Sequence, residues 1–467
     1  MFGNVMLATL LLALPVCLRF PFIGFLLYCW FDLAAPHVVF WNSLEFLPLA
    51  QLIGVATLAG VFVYWRGPRM INAFTVLLLM YVVWFTITYF QAFVPDAAQF
   101  KWDRSMKVFV PLAIMSMMLT TRARIELVMW MLVGVITASA IRGAALTLIW
   151  GGGGLVVIGP LGSFIEDRNV FATVMVMAIP LAIYLGAHSL HRPKAGIGRL
   201  IAIVVPLLIL VAVVGTFSRG GLLALAAVGL TAVAFSRHKF VIAVTVVIAA
   251  VALIRFAPES WIERMGTTAE YKADASAMGR IKSWTFAVNL VREHPLGGGF
   301  AVFHLNHVED AVGTEGYLDA HSWFFEILAE QGIPGIVLVL AIFLGALYRL
   351  YRVMRLSRAS PELKWAGSLA RTLFLAQCAM MSGGFFVGIG SYSFTYLVSM
   401  CAFSLYVIVR KPTAVAIGEP VASAEGDTAV PLASGGDAAP RRPRRDRRDR
   451  RGRAVALEQA PGSRARA

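Results

Sequence analysis

Apolar runs bounded by charge or by Gly and Pro recur along the chain, near 6–33, 43–65, 72–93, 105–119, 124–149, 169–190, 198–216, 219–236, 239–256, 322–349, 368–390 and 393–410. A helix needs about 17–25 predominantly apolar residues to cross a hydrocarbon core of about 30 Å. The pattern therefore predicts an all-α polytopic membrane protein of about twelve transmembrane helices. A β-barrel is excluded, because barrel strands alternate apolar and polar positions over about ten residues and these runs do not. Arg19 and Pro21 interrupt the first run, which could be one span or a short hairpin.

The polar interruptions carry direction. Lys and Arg collect in alternate connections, RGPRM at 66–70, TTRAR at 120–124, HRPKAGIGR at 191–199, SRHK at 236–239 and the region 349–371. Cytoplasmic loops carry that excess. The other connections are then extracytoplasmic: 34–42, 94–104, 150–168, the turn around Arg219, a long loop at 257–321 and a turn near Gly390. Both termini fall inside. Four regions follow: spans one to nine at 1–256, the large outer loop at 257–321, spans ten to twelve at 322–410, and a basic Ala/Gly/Pro/Arg-rich tail at 411–467 expected to be disordered. The first segment has no small-residue cleavage site and is expected to remain as a span. No internal repeat is visible.

Composition agrees with the pattern. Mean hydropathy is +0.75, and 14% of residues are charged where a soluble domain carries about 25%. The net charge of +15 suggests the Arg-rich stretch RRPRRDRRDRRGR at 441–453, yet the tail from Lys411 holds 12 basic and 7 acidic residues. Most of the excess thus belongs to the membrane part, as suits basic cytoplasmic flanks or sites for anionic substrates. The tail is expected to touch anionic lipid head groups rather than nucleic acid. Cys17, Cys29, Cys378 and Cys401 form no CxxC pair, so neither a disulfide framework nor a zinc site is expected.

Against this background Arg219, in GTFSRGG at 215–221, stands out. An arginine snorkelling at a helix end is ordinary, but the outer side is where arginine is disfavoured. The same side carries EDRNVFA at 166–172, with Arg168 and Asn169, and MGRIKSWTFAVNLVREHPLGGGF at 278–300, with Arg280 and Trp284. In the latter, Ile281, Trp284, Val288 and Val291 share a face at helical spacing while Lys282, Asn289 and Arg292 point away. That predicts an amphipathic helix along the membrane surface. The loop ends in DAHSWFFEILAEQGIPG at 319–335, placing His321 at the entry to the tenth span. Guanidinium groups fork onto phosphate oxygens and stay charged, and histidine titrates near neutral pH. Together they suit a diphosphate and a proton transfer. His304 and His307 have ligand-like spacing without a third ligand, the GGGG run at 151–154 lacks the GK[ST] of a phosphate loop, and no acidic pair in the outer loops would hold a divalent metal. No metal or cofactor is expected.

TxSRGG at a span junction, GRxxxW opening a helix in a late loop, the turn of Pro295, Gly297 and Gly299, and a His starting a span that continues to Glu330, Gly332 and Gly335 resemble the O-antigen ligase and polymerase family. The resemblance covers roughly 160–345. It implies a type-C glycosyltransferase-like fold with its large periplasmic loop between spans nine and ten, in a bacterial inner membrane. It also implies metal-independent transfer of a glycan from an undecaprenyl-diphosphate donor to a hydroxyl acceptor at the periplasmic face. On this resemblance Arg219 and Arg280 would bind the donor diphosphate and His321 would deprotonate or orient the acceptor. Arg168, Asn169, Ser218, Gly220 and Trp284 would contribute to substrate binding. PFIGFLLYCWFDLAAPH at 21–37 is similar to a subgroup found with exosortase and exopolysaccharide loci, proposed to be O-glycosylation ligases. A polymerase of the same family, a twelve-span transporter flagged by Arg142 within the fifth span, and a non-catalytic partner in an export complex are the rival readings.

Overall fold

The computed structural model describes residues 2–36, 38, 49–150, 156–191, 193–236, 238–256, 261–262, 275–309, 315–317 and 319–410. The expectations placed on the GGGG run, on 263–274 and on the tail from 411 lie outside those residues. Fourteen α-helices appear among the described residues: α1 Phe2–Arg19, α2 Pro21–Ala34, α3 Leu49–Val63, α4 Ala73–Tyr89, α5 Pro95–Ser116, α6 Arg122–Trp150, α7 Arg168–His188, α8 Ala195–Gly215, α9 Arg219–Phe235, α10 Lys239–Phe256, α11 Ala275–Glu293, α12 Trp323–Ala359, α13 Lys364–Gly384 and α14 Ser393–Arg410. Two three-residue strands, β1 His307–Glu309 and β2 Glu315–Tyr317, pair antiparallel with His307 opposite Tyr317.

Helix is what a lipid-embedded backbone requires, since every peptide N–H and C=O must be satisfied within the segment. Five helices, α6, α7, α8, α12 and α14, are long and apolar enough to cross a membrane, and α2, α3, α4, α9 and part of α10 are shorter apolar helices. Burial sorts the long ones. In α7, 83% of the most apolar window is buried against 28% in α8, so α7 is central and α8 faces outward. Between the helices lies an aromatic core in which Phe85 meets Phe300 at 5.5 Å, Phe109 meets Tyr396 at 5.0 Å and Phe343 meets Tyr396 at 5.4 Å.

Several expected boundaries move. The first apolar run is two helices that meet at Phe20, where Pro21 opens α2 as fits its missing N–H. The stretch 94–104, expected as a loop, is the start of α5: Pro95 takes the first helical position and Asp96 lies in the first turn, where an anion suits the helix dipole. The stretch 257–321, expected as one long loop, contains a helix among its described residues. Its helix α11 buries Ser283, Ala287 and Val291, whereas Ile281 is 42% exposed. The buried stripe is therefore displaced from the expected one. The small Ala287 permits close packing, and it sits in a cluster with Val302, Phe303, Ala320 and Ala329. The thirteenth helix stops at Gly384, earlier than expected, and 385–392 form the turn into α14.

The tenth apolar run is broken. Within α12, Gly332 adopts φ 64° and ψ −164°, a region that costs a side-chain-bearing residue strain. Pro334 has no N–H to give to Glu330 O, and the break is filled from the loop: Gly298 N donates to Ala329 O at 2.8 Å, Gly299 N to Glu330 O at 2.9 Å, and Ile333 N to Pro295 O at 2.9 Å. A methyl group at Gly332 would lie 2.3 Å from Leu296 C. The Pro295/Gly297/Gly299 turn and the Glu330/Gly332 break are one interlocked piece, anchored in the aromatic core by Phe300. From the other side, Trp84 Nε1 donates to Gln331 O at 2.7 Å and Thr88 Oγ1 to Gln331 Oε1.

Candidate active site

Each expected site residue except those in α11 lies at the start of a helix or just before it, and local chemistry explains the placement. Asp167 caps α7 by accepting from Asn169 N at 2.8 Å and Val170 N at 3.0 Å, which puts Arg168 at the first helical position. Ser218 caps α9 by accepting from Gly221 N at 3.1 Å, which puts Arg219 at the same position. Ser322 caps α12 through Phe325 N at 3.5 Å and leaves His321 directly before it. In two of these turns the residue before the cap is left-handed without being glycine, Phe217 at φ 53° and His321 at φ 44°. Strain of about 1–3 kcal/mol at such positions persists only where the surroundings dictate it, and it concentrates at functional sites. Phe217 packs with Val214 and Trp261, and on either side of His321 the Ala320 carbonyl accepts from Trp284 Nε1 and the Ser322 hydroxyl accepts from Phe325 N.

The turns converge on the end of α13. A methyl group at Gly220 would lie 3.5 Å from Gly383 O and 3.6 Å from Phe386 Cβ, and one at Gly221 would lie 2.8 Å from Ala172 Cβ on α7. Thr173, which donates to Asn169 O at 3.0 Å, borders Gly383 from α7. Trp284 comes from α11 to the same place. Its ring stacks on Phe325 at 4.8 Å and 16°, and approaches Phe385 at 5.7 Å and Phe386 at 6.0 Å. Its Nε1 donates to Ala320 O at 2.9 Å, the carbonyl immediately before His321. Arg280 is four residues, about one helical turn, before Trp284 on the same face of α11. Trp323 Nε1, just past His321, donates to Met381 O at 3.2 Å. The structure thus gathers Arg168, Asn169, Ser218, Arg219, Gly220, Arg280, Trp284 and His321 at one end of the bundle. His321 is exposed, while Arg168, Arg219 and Arg280 are half-buried.

Beneath this cluster lies a charged group that the sequence pattern did not bring together. Lys101 of α5 binds Glu326 Oε1 at 2.6 Å and Glu330 Oε1 at 2.7 Å. Glu326 Oε2 also accepts from Gly390 N at 3.1 Å, and Glu330 Oε1 from Ala301 N at 3.0 Å. One cation therefore fastens α5, the first turns of α12, the glycine turn and the α13–α14 turn. Two carboxylates one turn apart in an apolar stretch were the available signal, because such a pair demands a partner. Its identity was not legible, since Lys101 is 225 residues away in sequence.

Other polar residues take structural places. Arg142 is exposed and donates to Ile158 O at 3.2 Å and Gly159 O at 3.3 Å, bracing the segment before Arg168. Arg104 lies 4.1 Å from the Phe164 ring in that same segment. His304 lies within a 3-10 turn, Val302–Leu305, and His307 begins β1; among the described residues no group of three or more His, Cys, Asp or Glu could hold a metal.

Residues 204–340 match the O-antigen ligase family. This stretch carries that family's pattern. It contains Arg219, Arg280 and His321, together with the interlocked glycine turn and helix break. Residues 1–190 match a family of unknown function, DUF5935, and it is this part that contributes Arg168, Asn169 and Lys101. No curated protein matches the chain. The O-antigen ligase match supports a ligase- or polymerase-like membrane enzyme acting on a lipid-linked glycan donor and an acceptor.

Proposed function

We propose that the chain is a glycan ligase that transfers a saccharide from undecaprenyl diphosphate to a hydroxyl acceptor at the periplasmic face of a bacterial inner membrane. The observation that carries this reading is the convergence of Arg219, Trp284 with Arg280, and His321 around Phe385 and Phe386. In this reading the twelve spans are α1 with α2 as one broken unit, α3 to α10, and α12 to α14. Helix α11 lies at the outer surface, and both termini face inside.

The acceptor oxygen attacks the anomeric carbon of the donor, and the bond from that carbon to the diphosphate oxygen breaks. The acceptor proton passes to His321, and the electron pair leaves on the diphosphate. Arg219 and Arg280 meet the developing charge, so stabilisation comes from fixed cations already in place before the reaction. Arg168 and Asn169 bind donor or acceptor from α7. Ser218 and Gly220 shape the phosphate-facing turn, and Trp284 offers a flat apolar surface to a sugar ring while holding the His321 turn. Reading the chain as a transporter draws no support from Arg142, which braces an end segment rather than a midplane site.

The test is release of free undecaprenyl diphosphate from purified full-length protein in nanodiscs, with a chelator, a glycan-loaded donor and a panel of acceptors. Acceptor-dependent release that Arg219→Ala lowers by about 10²–10³-fold is the expected result, and the productive acceptor separates ligation from polymerisation. Donor movement across the bilayer without release would sink the reading in favour of transport.

A further inference from the structure

At the opposite end of the bundle lies a cavity of about 910 Å³. Its position follows from the helix directions: α7, α9 and α12 begin at the candidate active site, and the cavity is lined by His188, Phe235 and Arg358 at or near their far ends. The lining brings five cations together, Arg122, Lys239, Arg358, Lys364 and Arg371, and includes no Asp or Glu among the described residues. Glu126 stands behind the wall, pairing with Arg122 Nε at 2.7 Å and accepting from Tyr184 Oη at 2.8 Å, Ser189 Oγ at 2.8 Å and Leu190 N at 2.7 Å. That network fixes one guanidinium at the cavity's edge, and Trp365 packs against it with its ring 4.9 Å from Arg122 Cζ.

Basic residues at this end are expected from the positive-inside bias alone, but that bias asks only that they be in the loops. Here separate connections direct cations into one concavity, while Arg66 and Arg69 remain outside it. Helix dipoles do not explain an anion preference, since α6, α10 and α13 present their starts and α7, α9 and α12 their ends, so the two signs offset. The side chains therefore set the selectivity. Like charges around a common space repel one another, and an anion between them reverses the sign of that interaction. Ser236, Ser357 and Ser368 add hydroxyl donors, and Phe235, Met354 and Trp365 add apolar wall. The volume falls within the roughly 300–1,000 Å³ of small-molecule sites, more than a lone phosphate fills.

We propose that this cavity, with Arg122, Lys239, Arg358, Lys364 and Arg371, binds a phosphate group carried on an organic body, at a site separate from the candidate active site. The phosphate comes either from an anionic lipid head group entering at the bundle edge or from a soluble organic phosphate. Arginine and serine together suit it, the first by bidentate contact and the second by short neutral donors.

The experiment uses the full chain in phosphatidylcholine nanodiscs and reads the thermal unfolding midpoint. In one arm inorganic diphosphate is titrated at constant ionic strength with sulfate as the control, and in the other part of the phosphatidylcholine is replaced by phosphatidylglycerol. A saturable rise in the diphosphate arm points to a soluble ligand, and a rise confined to the phosphatidylglycerol arm points to a lipid. In either case the triple variant Arg358→Gln, Lys364→Gln, Arg371→Gln should raise the half-saturating concentration by more than about tenfold, because it removes several charge-assisted hydrogen bonds at once. The pair Arg66→Gln, Arg69→Gln should leave it unchanged. If the triple variant does not fold, Lys364→Glu at the exposed start of α13 provides the same comparison. No rise in either arm, an equal rise with sulfate, or an equal loss in the Arg66/Arg69 pair overturns the proposal.

Discussion

The two ends of the helix bundle are both rich in cations, yet they are built differently. At the end holding Arg168, Arg219, Arg280 and His321, positions are over-determined: aspartate and serine caps set the helix starts, Phe217 and His321 sit in left-handed conformations, and an indole and a buried ion pair lock the surrounding turns. At the other end Lys239, Arg358, Lys364 and Arg371 are exposed side chains around a cavity mouth. Precision has a conformational cost, and the molecule concentrates it at the end where we propose the bond-making chemistry, which small displacements would impair. A charged vestibule needs only charge density.

That contrast can be broken by substitution, and the largest effect is expected at its most exposed member. His321→Ala should lower glycan transfer by about 10²–10⁴-fold, the range for loss of a positioned acid or base, with unchanged membrane insertion and thermal midpoint. Retained transfer in the release assay would remove its role as base. Next comes the brace. Lys101→Met leaves Glu326 and Glu330 buried without their cation, and because 26% of the lysine side chain is exposed the loss should be about 2–3 kcal/mol, below the 3–5 of a fully buried pair. Denaturation in detergent would check it, and Lys101→Arg should recover part of the loss.

A finer cut is Trp284→Phe, which keeps an aromatic surface on Phe325 but deletes the donor to Ala320 O. About 1 kcal/mol, or roughly fivefold in transfer, is expected, without the full loss foreseen for His321→Ala. Smallest of all, Arg66→Gln should change transfer by less than about twofold, since this exposed residue of the α3–α4 connection lies at the far end and a surface charge contributes about 0–1 kcal/mol. A large loss there in the release assay would mean that the chemistry at one end depends on charge at the other.

The legibility of this protein in its sequence follows the range of the interactions concerned. Spans are readable because a hydrocarbon medium penalises polar backbone locally, residue by residue, and the motif arginines are readable because charge between long apolar runs is conspicuous. The start of α5 reads as a loop in the sequence, since Lys101, Asp103 and Arg104 look solvated when Lys101 in fact binds carboxylates from another part of the chain. The stripe of α11 also departs from its pattern. Hydrophobicity ranks Ile281 as buried, whereas packing selects the small Ala287, against Ala329 of α12, and Ser283, which accepts from Asn306 Nδ2.

By itself the sequence determined the membrane class, most helix positions, and the family-like motifs that carry Arg219, Arg280 and His321. Each of these depends on composition or on neighbours within a turn or two. Only the tertiary structure decided that Pro295, Gly297 and Gly299 complete the hydrogen bonds of a helix broken at Gly332, that Trp284 holds the carbonyl before His321, and that Lys101 ties the site to the first half of the chain. Those pairings join residues tens to hundreds of positions apart, and hydrogen bonds and ion pairs of that kind are specified by geometry rather than by periodicity.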